Sequence, residues 1–319
     1  MKKIGIMTSG GDSPGMNGAI RAAVRAALNY DITPYGILSG YKGMMDGSIF
    51  ELKHSDVSNI IGRGGTILQT ARSQEFKTEE GQKKAVANLE KYGIEGLVVI
   101  GGDGSLSGAK VLDEKFGIKS VGIPGSIDND IYGTDVSLGV DTALNVIMDS
   151  VDMINNTASS HGRTFVIEVM GRRCGYLAVM AGIATGADAV IIPEVEPDLE
   201  SIAAKFKKRA LDGKTRNILI VAEGAGSAYE YGKKLQEAGT FDARITILGH
   251  VQRGGFPSYF DRVLGSRMGA AAVIGLKSGK TSVMTGLQGN KIEFVPYEEV
   301  FSKKHELNNN IVKLLDDLA

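Results

Sequence analysis

The chain has 319 residues, 43% of them hydrophobic, with one cysteine and a net charge of −1. This length exceeds the size at which one hydrophobic core usually stops growing, so we expect two domains. The near-zero charge favours neither nucleic acid nor a membrane as a partner, and the lone Cys174 fits a reducing cytoplasm. No apolar run approaches the roughly 20 residues of a membrane span, and the apolar start is too short for a signal peptide.

The first predicted element is a buried strand at residues 3–7, which a glycine-rich loop at residues 8–15 follows. A helix is predicted from Met16, because apolar residues recur at i, i+3 and i+4 over residues 20–28. Glycine contributes 43 of the 319 residues, about twice its usual share of ~7%. These glycines form no repeat, so each has its own structural or functional reason.

The same order of strand and glycine-rich or polar loop recurs along the chain. Further strands are predicted at residues 95–100, 120–123, 164–170, 217–222 and 244–248, and a helix at residues 261–276. Alternating strands and helices indicate an α/β fold with mostly parallel sheets, in which ligands bind beyond the carboxyl ends of the strands. We predict two Rossmann-like domains, residues 1–138 plus 251–305 and residues 139–250 plus 306–319, with the active site in the cleft between them.

The glycine loops are candidate phosphate sites. Consecutive glycines let backbone N–H groups approach a phosphate, and a following helix N-terminus adds partial positive charge. The spacing of the glycines in residues 10–18 differs from the dinucleotide fingerprint, and no Gly-Lys-Ser/Thr follows a glycine loop. A tight β–α turn is the structural alternative for each loop. Asp103, which lies among glycines, suits a water-coordinated Mg²⁺ beside a phosphate.

Arginines and paired carboxylates add to this pattern. Arginines at the mouths of glycine loops can bind phosphate oxygens in a bidentate manner, although surface arginines are often only solvated. They are Arg63, Arg72, Arg163, Arg172, Arg173 and Arg253.

Asp128 and Asp130 follow Pro124 and could divide the roles of base and cation ligand, or belong to a plain β-turn. The four histidines lack metal-ligand spacing. The parts together are those of phosphoryl transfer.

Taken together, five motifs resemble the bacterial 6-phosphofructokinase family. The likeness runs in order from Lys3 to about Leu276, and the motifs are residues 8–17, 101–105, 124–130, 170–172 and 249–255. The resemblance implies transfer of a phosphoryl group from ATP to fructose 6-phosphate, giving ADP and fructose 1,6-bisphosphate in glycolysis. It also implies that the first domain binds ATP and the second binds fructose 6-phosphate.

The family's catalytic and nucleotide-binding roles carry over to matching residues. Asp128 is implied as the base for the sugar 1-hydroxyl, Asp103 as the Mg²⁺ ligand with Asp130 nearby, and Arg72, Arg172 and Ser126 as the groups around the transferring phosphoryl. The resemblance assigns ATP binding to Gly11, Arg72, Ser73, Gly102, Asp103, Gly104 and Ser105.

Sugar binding carries over in the same way. The implied residues are Ser126, Ile127, Asp128, Met170, Gly171, Arg172, Glu223, His250, Val251, Gln252 and Arg253, with Arg163 and Arg244 from a neighbouring subunit. Active sites that borrow residues across an interface imply a homotetramer.

Two glycine positions distinguish ATP from pyrophosphate as the phosphoryl donor in this family. Pyrophosphate-using relatives have Asp at the position of Gly104 and Lys at that of Gly125. A carboxylate at position 104 would crowd and repel the α-phosphate of ATP, so both positions here are of the ATP type.

The chain departs from the family pattern mainly at the effector site for ADP and phosphoenolpyruvate. The site's matching residues are Arg21, Arg25, Asp188 and Lys214, of which Asp188 replaces a longer Glu. Asn155 stands at a usual Arg, Asp212 at another basic position, and Thr215 follows Lys214. Losing a cation and gaining an anion weakens anion binding, so we expect weak or no control by these effectors. In the active site, Ser126 replaces a usual Thr and Ser73 a frequent Cys, and we expect activity to survive both.

Three other functions remain as alternatives at this point. A pyrophosphate-dependent phosphofructokinase shares most of the motifs. A non-catalytic sugar-binding protein shares the two-domain α/β architecture but has no need of Asp103 together with Asp128. An NAD-linked oxidoreductase disagrees with the glycine spacing.

Overall fold

A computed structural model describes residues 1–214, 216–238 and 242–318 of the chain. The strands are β1 (Lys3–Ser9), β2 (Thr33–Ile37), β3 (Ile49–Glu51), β4 (Gly96–Gly101), β5 (Lys119–Pro124), β6 (Thr164–Val169), β7 (Ala189–Ile191), β8 (Asn217–Ala222), β9 (Ala243–Ile247), β10 (Val283–Gln288) and β11 (Lys291–Pro296). The helices are α1 (Met16–Asn29), α2 (Gly40–Asp46), α3 (Glu79–Tyr92), α4 (Asp103–Phe116), α5 (Val140–His161), α6 (Tyr176–Thr185), α7 (Leu199–Leu211), α8 (Ala228–Ala238), α9 (Tyr259–Lys277), α10 (Tyr297–Ser302) and α11 (Asn309–Leu318).

The chain forms two compact units. The larger unit comprises Met1–Ile127, Ile131–Thr142 and Arg253–His305, and the smaller unit comprises Asp128–Asp130, Ala143–Gln252 and Glu306–Ala319. Both units contain mostly parallel sheets between helices, which confirms the predicted α/β fold class. The predicted domain limits and the predicted cleft site stay predictions. Among the helices of the described residues, none is long and apolar enough to cross a membrane.

The larger unit is built on a seven-stranded sheet with the order β11-β10-β5-β4-β1-β2-β3. Strands β1, β2, β4, β5 and β10 run parallel, while β3 and β11 pair antiparallel at the two edges. The central strand β4 is buried along its whole length, because helices cover both faces of a parallel sheet. The predicted strands β1, β4 and β5 are confirmed.

The smaller unit has a four-stranded parallel sheet with the order β7-β8-β6-β9. Its core includes Val166 of β6, Leu219 and Val221 of β8, and Phe206 of α7, all of them buried. The strands predicted at residues 164–170, 217–222 and 244–248 correspond to β6, β8 and β9, with ends that differ by one residue at most.

Helices α1 and α9 of the larger unit pack unusually close together. A Cβ atom at Gly265 would lie 2.8 Å from the backbone oxygen of Gly15, and one at Gly269 would lie 2.4 Å from that of Ala19. Both distances are shorter than real Cβ contacts, so only glycine fits at these two positions of α9. The start of α9 is thereby held against the glycine loop that leads into α1.

Asp261 in the first turn of α9 holds the start of α5. Its Oδ1 accepts a hydrogen bond from Gly139 N (2.8 Å), and its Oδ2 accepts from Thr142 N (2.9 Å) and from Thr142 Oγ1. These are N–H groups that the first turn of a helix cannot pair internally. The side chain is fully buried, and burial raises the pKa of the Asp261 carboxyl, with a smaller increase from Asp141 against the opposing hydrogen bonds.

We predict that the stability advantage of wild type over Asp261→Asn shrinks as pH rises. The folded pKa of Asp261 lies above its unfolded value near 3.9, so ionisation disfavours the folded state. The contribution of this group to the free energy of unfolding is therefore fully present below about pH 4 and is lost as pH rises through the folded pKa. Differential scanning calorimetry of both proteins from pH 4 to pH 7.5 measures the difference in Tm. A difference that grows with pH contradicts the raised pKa.

Candidate active site

The carboxyl ends of three neighbouring strands meet at one edge of the larger unit's sheet. Ser9 at the end of β1 is the register partner of Gly101 at the end of β4, and Gly101 is the partner of Pro124 at the end of β5. Gly125 N donates to the backbone oxygen of Gly101 at 3.0 Å. The loops that carry Gly11, residues 102–105 and residues 125–127 therefore lie side by side, as expected for parallel strands.

Asp103 is the first residue of α4 and stands between Gly102 and Gly104. It is exposed, and it lies at a helix N-terminus whose partial positive charge favours anions. A Cβ at Gly104 would meet nothing within 4 Å, so open space lies beside Asp103. Mg²⁺ in kinases takes one or two carboxylates together with substrate phosphates. One exposed carboxylate at a helix N-terminus fits that donor set.

The described residues contain no group of three or more His, Cys, Asp or Glu side chains that could hold a metal. A metal ion bound at Asp103 would therefore take most of its ligands from substrate and water.

Tyr41 supports this edge of the sheet and was missed by the sequence analysis. The hydroxyl of Tyr41 donates to the backbone oxygen of Ser105 at 2.5 Å, in the first turn of α4. The ring of Tyr41 stacks on Phe76 with centroids 4.0 Å apart. Phe76 is in turn fixed by Ser73, whose Oγ accepts from Phe76 N at 3.1 Å. Ser73, a predicted ATP ligand, thus orients a short 3₁₀ turn next to the exposed Arg72.

The loop after β5 carries the predicted catalytic residues. The backbone oxygen of Ser126 accepts from Ser137 Oγ at 2.6 Å, and Leu138 N donates to the backbone oxygen of Pro124 at 3.0 Å. Ile127 is fully buried, so its side chain anchors the loop, while Asp128 is half-buried. The sequence analysis assigned Ile127 to sugar binding, and the structure leaves only its backbone for that role.

A second convergence lies at the carboxyl edge of the smaller unit's sheet. Glu223 N donates to the backbone oxygen of Val169 at 2.8 Å, and Gly224 N donates to that of Gly171 at 3.0 Å. The ends of β6 and β8 are thereby tied together. This brings the predicted sugar ligands Met170, Gly171, Arg172 and Glu223 to one edge, with Arg172 exposed.

Gln252 joins this edge to the turn after β9. Its Oε1 accepts from Met170 N at 3.1 Å, and its Nε2 donates to the backbone oxygen of Gly249 at 2.9 Å. The side chain is fully buried, whereas His250 and Val251 in the same turn are exposed. Gln252 was predicted to bind the sugar. In the structure both ends of its amide are bound to the chain, so it orients the turn that carries His250.

Three arginines that were predicted to bind the sugar phosphate lie elsewhere. Arg163 and Arg244 both contact Asp242 Oδ2, at 3.2 and 3.0 Å, at the amino ends of β6 and β9. Six residues of strand, about 20 Å, separate them from the edge that carries Met170. Arg253, in the larger unit, donates from Nη1 to the backbone oxygen of Asp12 at 2.9 Å and lies against Gly11. The structure therefore places Arg253 on the glycine loop that was predicted to bind ATP.

Cys174 is buried in the smaller unit, as the sequence analysis expected. Burial, aided by the charges of Glu194 and Asp130 against an opposing backbone hydrogen bond at Tyr176, raises the pKa of the Cys174 thiol to about 11. A thiol with this pKa is protonated at neutral pH and is a poor nucleophile.

The predicted effector residues of the smaller unit line a cavity of about 490 Å³. Its lining residues are Ser159, Gly186, Ala187, Asp188, Arg209, Lys214, Arg216 and Leu318. Asp188 is buried, pairs with Arg209 Nη2 at 2.5 Å and accepts from Ile218 N at 2.7 Å. Arg216 donates to Asn155 Oδ1. Lys214 is exposed, and Thr215 lies outside the described residues.

The other two predicted effector residues, Arg21 and Arg25, lie one turn apart on α1 of the larger unit. Partial burial lowers the pKa of Arg21, and the charge of Arg25 lowers it further. Like charges at i and i+4 on one helix repel each other, so this pair is mildly unfavourable unless an anion binds there.

Comparisons with known proteins agree with these observations. The ATP-dependent 6-phosphofructokinases of Bacillus licheniformis and Bacillus thuringiensis are 52% and 53% identical to the chain over 319 residues, which is the full length of both partners in each pair. Phosphofructokinase from Saccharomyces cerevisiae has a similar fold, with a TM-score of 0.88 and 39% identity over 100% of this chain and 47% of that chain.

A pyrophosphate-dependent phosphofructokinase from Marinobacter aquaeolei has a TM-score of 0.87 over 97% of this chain and 86% of that chain. Its sequence is 19% identical, so this likeness concerns the fold alone. The family profile described as phosphofructokinase matches residues 3–276. Because that match spans most of the chain and full-length relatives share half of its residues, the chain belongs to the phosphofructokinase family.

Proposed function

We propose that the chain is an ATP-dependent 6-phosphofructokinase, which transfers the γ-phosphoryl group of ATP to the 1-hydroxyl of fructose 6-phosphate. The observation that carries this proposal is the meeting of three strand ends at Ser9, Gly101 and Pro124, with Asp103 at the start of α4 beside them. Full-length relatives that are 50–53% identical are named for the same activity. A cytoplasmic location is part of the proposal, because ATP and sugar phosphates are used there.

The packing around two glycines supports ATP over pyrophosphate as donor. The open space at Gly104 leaves room for the α-phosphate that pyrophosphate lacks. At Gly125 a Cβ would lie 2.9 Å from Met16 Cε and 3.3 Å from Ser13 Oγ, so a long side chain such as Lys would require both to move. A pyrophosphate-dependent enzyme remains the second candidate only on the ground of its shared fold.

The proposed mechanism divides the reaction among named side chains. Asp128 accepts the proton of the sugar 1-hydroxyl as its oxygen forms a bond to the γ-phosphorus, and the bond from that phosphorus to the β-phosphate oxygen breaks to release ADP. Arg72 and Arg172 neutralise charge on the transferring group, and Ser126 lies beside it. Asp103 would hold Mg²⁺, which when bound neutralises phosphate oxygens.

ATP binding is assigned to Gly11, Arg72, Ser73, Gly102, Gly104 and Ser105, and sugar binding to Met170, Gly171, Glu223, His250 and Val251 with Arg253. The position of Arg163 and Arg244 at the far edge of the smaller unit's sheet supports their use by a neighbouring subunit. A homotetramer with shared active sites follows from that assignment.

We further propose that the ADP and phosphoenolpyruvate site is weak. Arg209 is already paired with the buried Asp188, and Arg216 is already hydrogen-bonded to Asn155. An incoming anion would have to compete with these contacts for two of the three cations that the described lining residues provide. Lys214 is the remaining cation, and an exposed cation contributes little binding energy.

Asp128→Asn should lower kcat by about 10²–10⁴ with little change in KM, because a carboxamide cannot accept the proton. The measurement is a Mg²⁺-dependent coupled assay with ATP and fructose 6-phosphate. Asp130→Asn is the matched control, since it is the same change two residues on, and we expect a much smaller loss. Near-normal turnover of Asp128→Asn would falsify the assignment of the base.

Gly104→Asp should raise KM for ATP at least about 10-fold, because the new carboxylate repels the α-phosphate. The fold should tolerate the change, since the added atoms enter open space at a helix N-terminus. Gly104→Ala adds the Cβ without the charge and should have a smaller effect on KM. Equal KM values for ATP in wild type and Gly104→Asp argue against this donor site.

Saturation curves for fructose 6-phosphate should change little when phosphoenolpyruvate is added at concentrations below about 1 mM, because the cavity's arginines are engaged by Asp188 and Asn155. Lys214→Ala should give the same curves as wild type, with and without the effector. A strong shift of the wild-type curve that Lys214→Ala abolishes would instead establish a working effector site.

A further inference from the structure

Asp261 is connected to the catalytic loop through the backbone segment 137–142, which is hydrogen-bonded to both. Its carboxylate accepts from Gly139 N and from both donors of Thr142. The residues just before Gly139 contact the catalytic loop directly: Ser137 Oγ donates to Ser126 O at 2.6 Å, and Leu138 N donates to Pro124 O at 3.0 Å. The segment 137–142 is therefore held at one end by the loop and at the other by Asp261.

Asp261 also packs closely against the glycine loop that precedes α1. A Cβ at Gly15 would lie 3.1 Å from the backbone oxygen of Asp261 and 3.3 Å from its Cβ. A Cβ at Gly139 would lie 2.7 Å from Ser13 Cβ and 2.9 Å from Pro14 Cδ. Both glycines have positive φ angles, 94° and 100°, where a side chain is strained. Gly15 and Gly139, which both lie close to Asp261 or its partners in the fold, are therefore held tightly in place by the residues that surround them.

We propose that Asp261 is a positioning residue for phosphoryl transfer, which orients the loop of Ser126 and Asp128 through segment 137–142. The inference rests on the proposed function, because it assigns Asp261 a part in the activity of that loop. Asp261 itself is fully buried, so its proposed effect on the reaction is indirect.

The arrangement of donors explains why a carboxylate is needed. Gly139 N faces Oδ1 and Thr142 N faces Oδ2, and neither N–H can become an acceptor. An Asn at this position has one oxygen and one NH₂ group, so in either orientation its NH₂ meets an N–H. Leaving a buried donor unpaired costs about 1–3 kcal/mol. We expect segment 137–142 to move to relieve that contact, and the loop of Ser126 to move with it.

Asp113 provides a matched control. Its carboxylate is likewise a hydrogen-bond acceptor within the larger unit, with two hydroxyl donors, Thr281 Oγ1 at 2.8 Å and Ser282 Oγ. Thr281 Oγ1 in turn accepts from Ser120 N, near the amino end of β5 and so at the opposite end of that strand from Pro124. Asp113→Asn therefore tests a general loss of stability without disturbing the catalytic loop.

The experiment compares wild type, Asp261→Asn and Asp113→Asn at a temperature where all three are folded by circular dichroism. For Asp261→Asn we expect kcat to fall at least about 10-fold, with KM for ATP and fructose 6-phosphate within about 3-fold of wild type. For Asp113→Asn we expect kcat within about 2-fold. Hydrogen–deuterium exchange should be faster across residues 122–140 in Asp261→Asn only, because the amides of Gly125 and Leu138 lie in this segment.

Two further variants test whether Asp261 acts through the loop that carries Ser126. Ser137→Ala removes the contact to Ser126 and should lower kcat in the same direction. The double variant with Asp261→Asn should lose less than the product of the two single effects, because both act through one segment. If Asp261→Asn does not fold, Thr142→Val takes its place, since it removes one of the hydrogen bonds to the carboxylate and keeps the backbone N–H.

The outcomes separate this proposal from the proposed function. Wild type that transfers no phosphoryl group from ATP refutes the function, and the exchange measurement still tests the positioning role. Active wild type with a folded Asp261→Asn whose kcat is within 2-fold of normal overturns the positioning role. Unchanged exchange across residues 122–140 in that variant also overturns it.

Discussion

The candidate site of the larger unit depends on the register of three parallel strands. Because Ser9, Gly101 and Pro124 are neighbours across β1, β4 and β5, three loops that are far apart in sequence begin at the same edge of the sheet. A shift of one residue in any of these strands would turn its side chains to the opposite face. The apolar cores on both faces of the sheet therefore determine where Asp103 and Ser126 lie.

The smaller unit applies the same principle with fewer strands. Hydrogen bonds between the residues that follow β6 and β8 hold Gly171 and Glu223 together, and the buried amide of Gln252 adds the turn after β9. Exposed side chains such as Arg172 and His250 are carried by these fixed backbones. Each unit thus offers a rigid edge with polar side chains, which suits a reaction that depends on positioning and charge neutralisation.

Sequence reasoning recovered the elements that have a strong local signal. Strands β1, β4, β5, β6, β8 and β9 are short apolar runs that end at glycine or polar loops, and each was predicted close to its observed limits. Strand β2 was missed because Pro34 and Gly36 disfavour a strand, and pairing with β1 and β3 overrides that preference. Strand β10 and the edge strands β3 and β11 were missed as well.

The site was predictable in part for a similar reason. Glycines and acidic residues that directly follow apolar runs form a local sequence pattern, and this pattern predicts a site at the strand ends. The roles of individual residues came from family resemblance. Asp261 and Gly139 are 122 positions apart in the chain, and Tyr41 and Ser105 are 64 apart. No local pattern links such pairs, because their contact exists only once the sheet and helices have packed.

The close contact of α1 and α9 at Gly265 and Gly269 has a consequence for the geometry of the glycine loop. A methyl group at either position would push apart two helices, one of which begins directly after the glycine loop while the other carries Asp261 in its first turn. Because protein cores are too densely packed to absorb added volume locally, the displacement would pass along α1 to residues 10–15. The volume available at Gly265 and Gly269 is therefore tied to the geometry of the glycine loop at the start of α1.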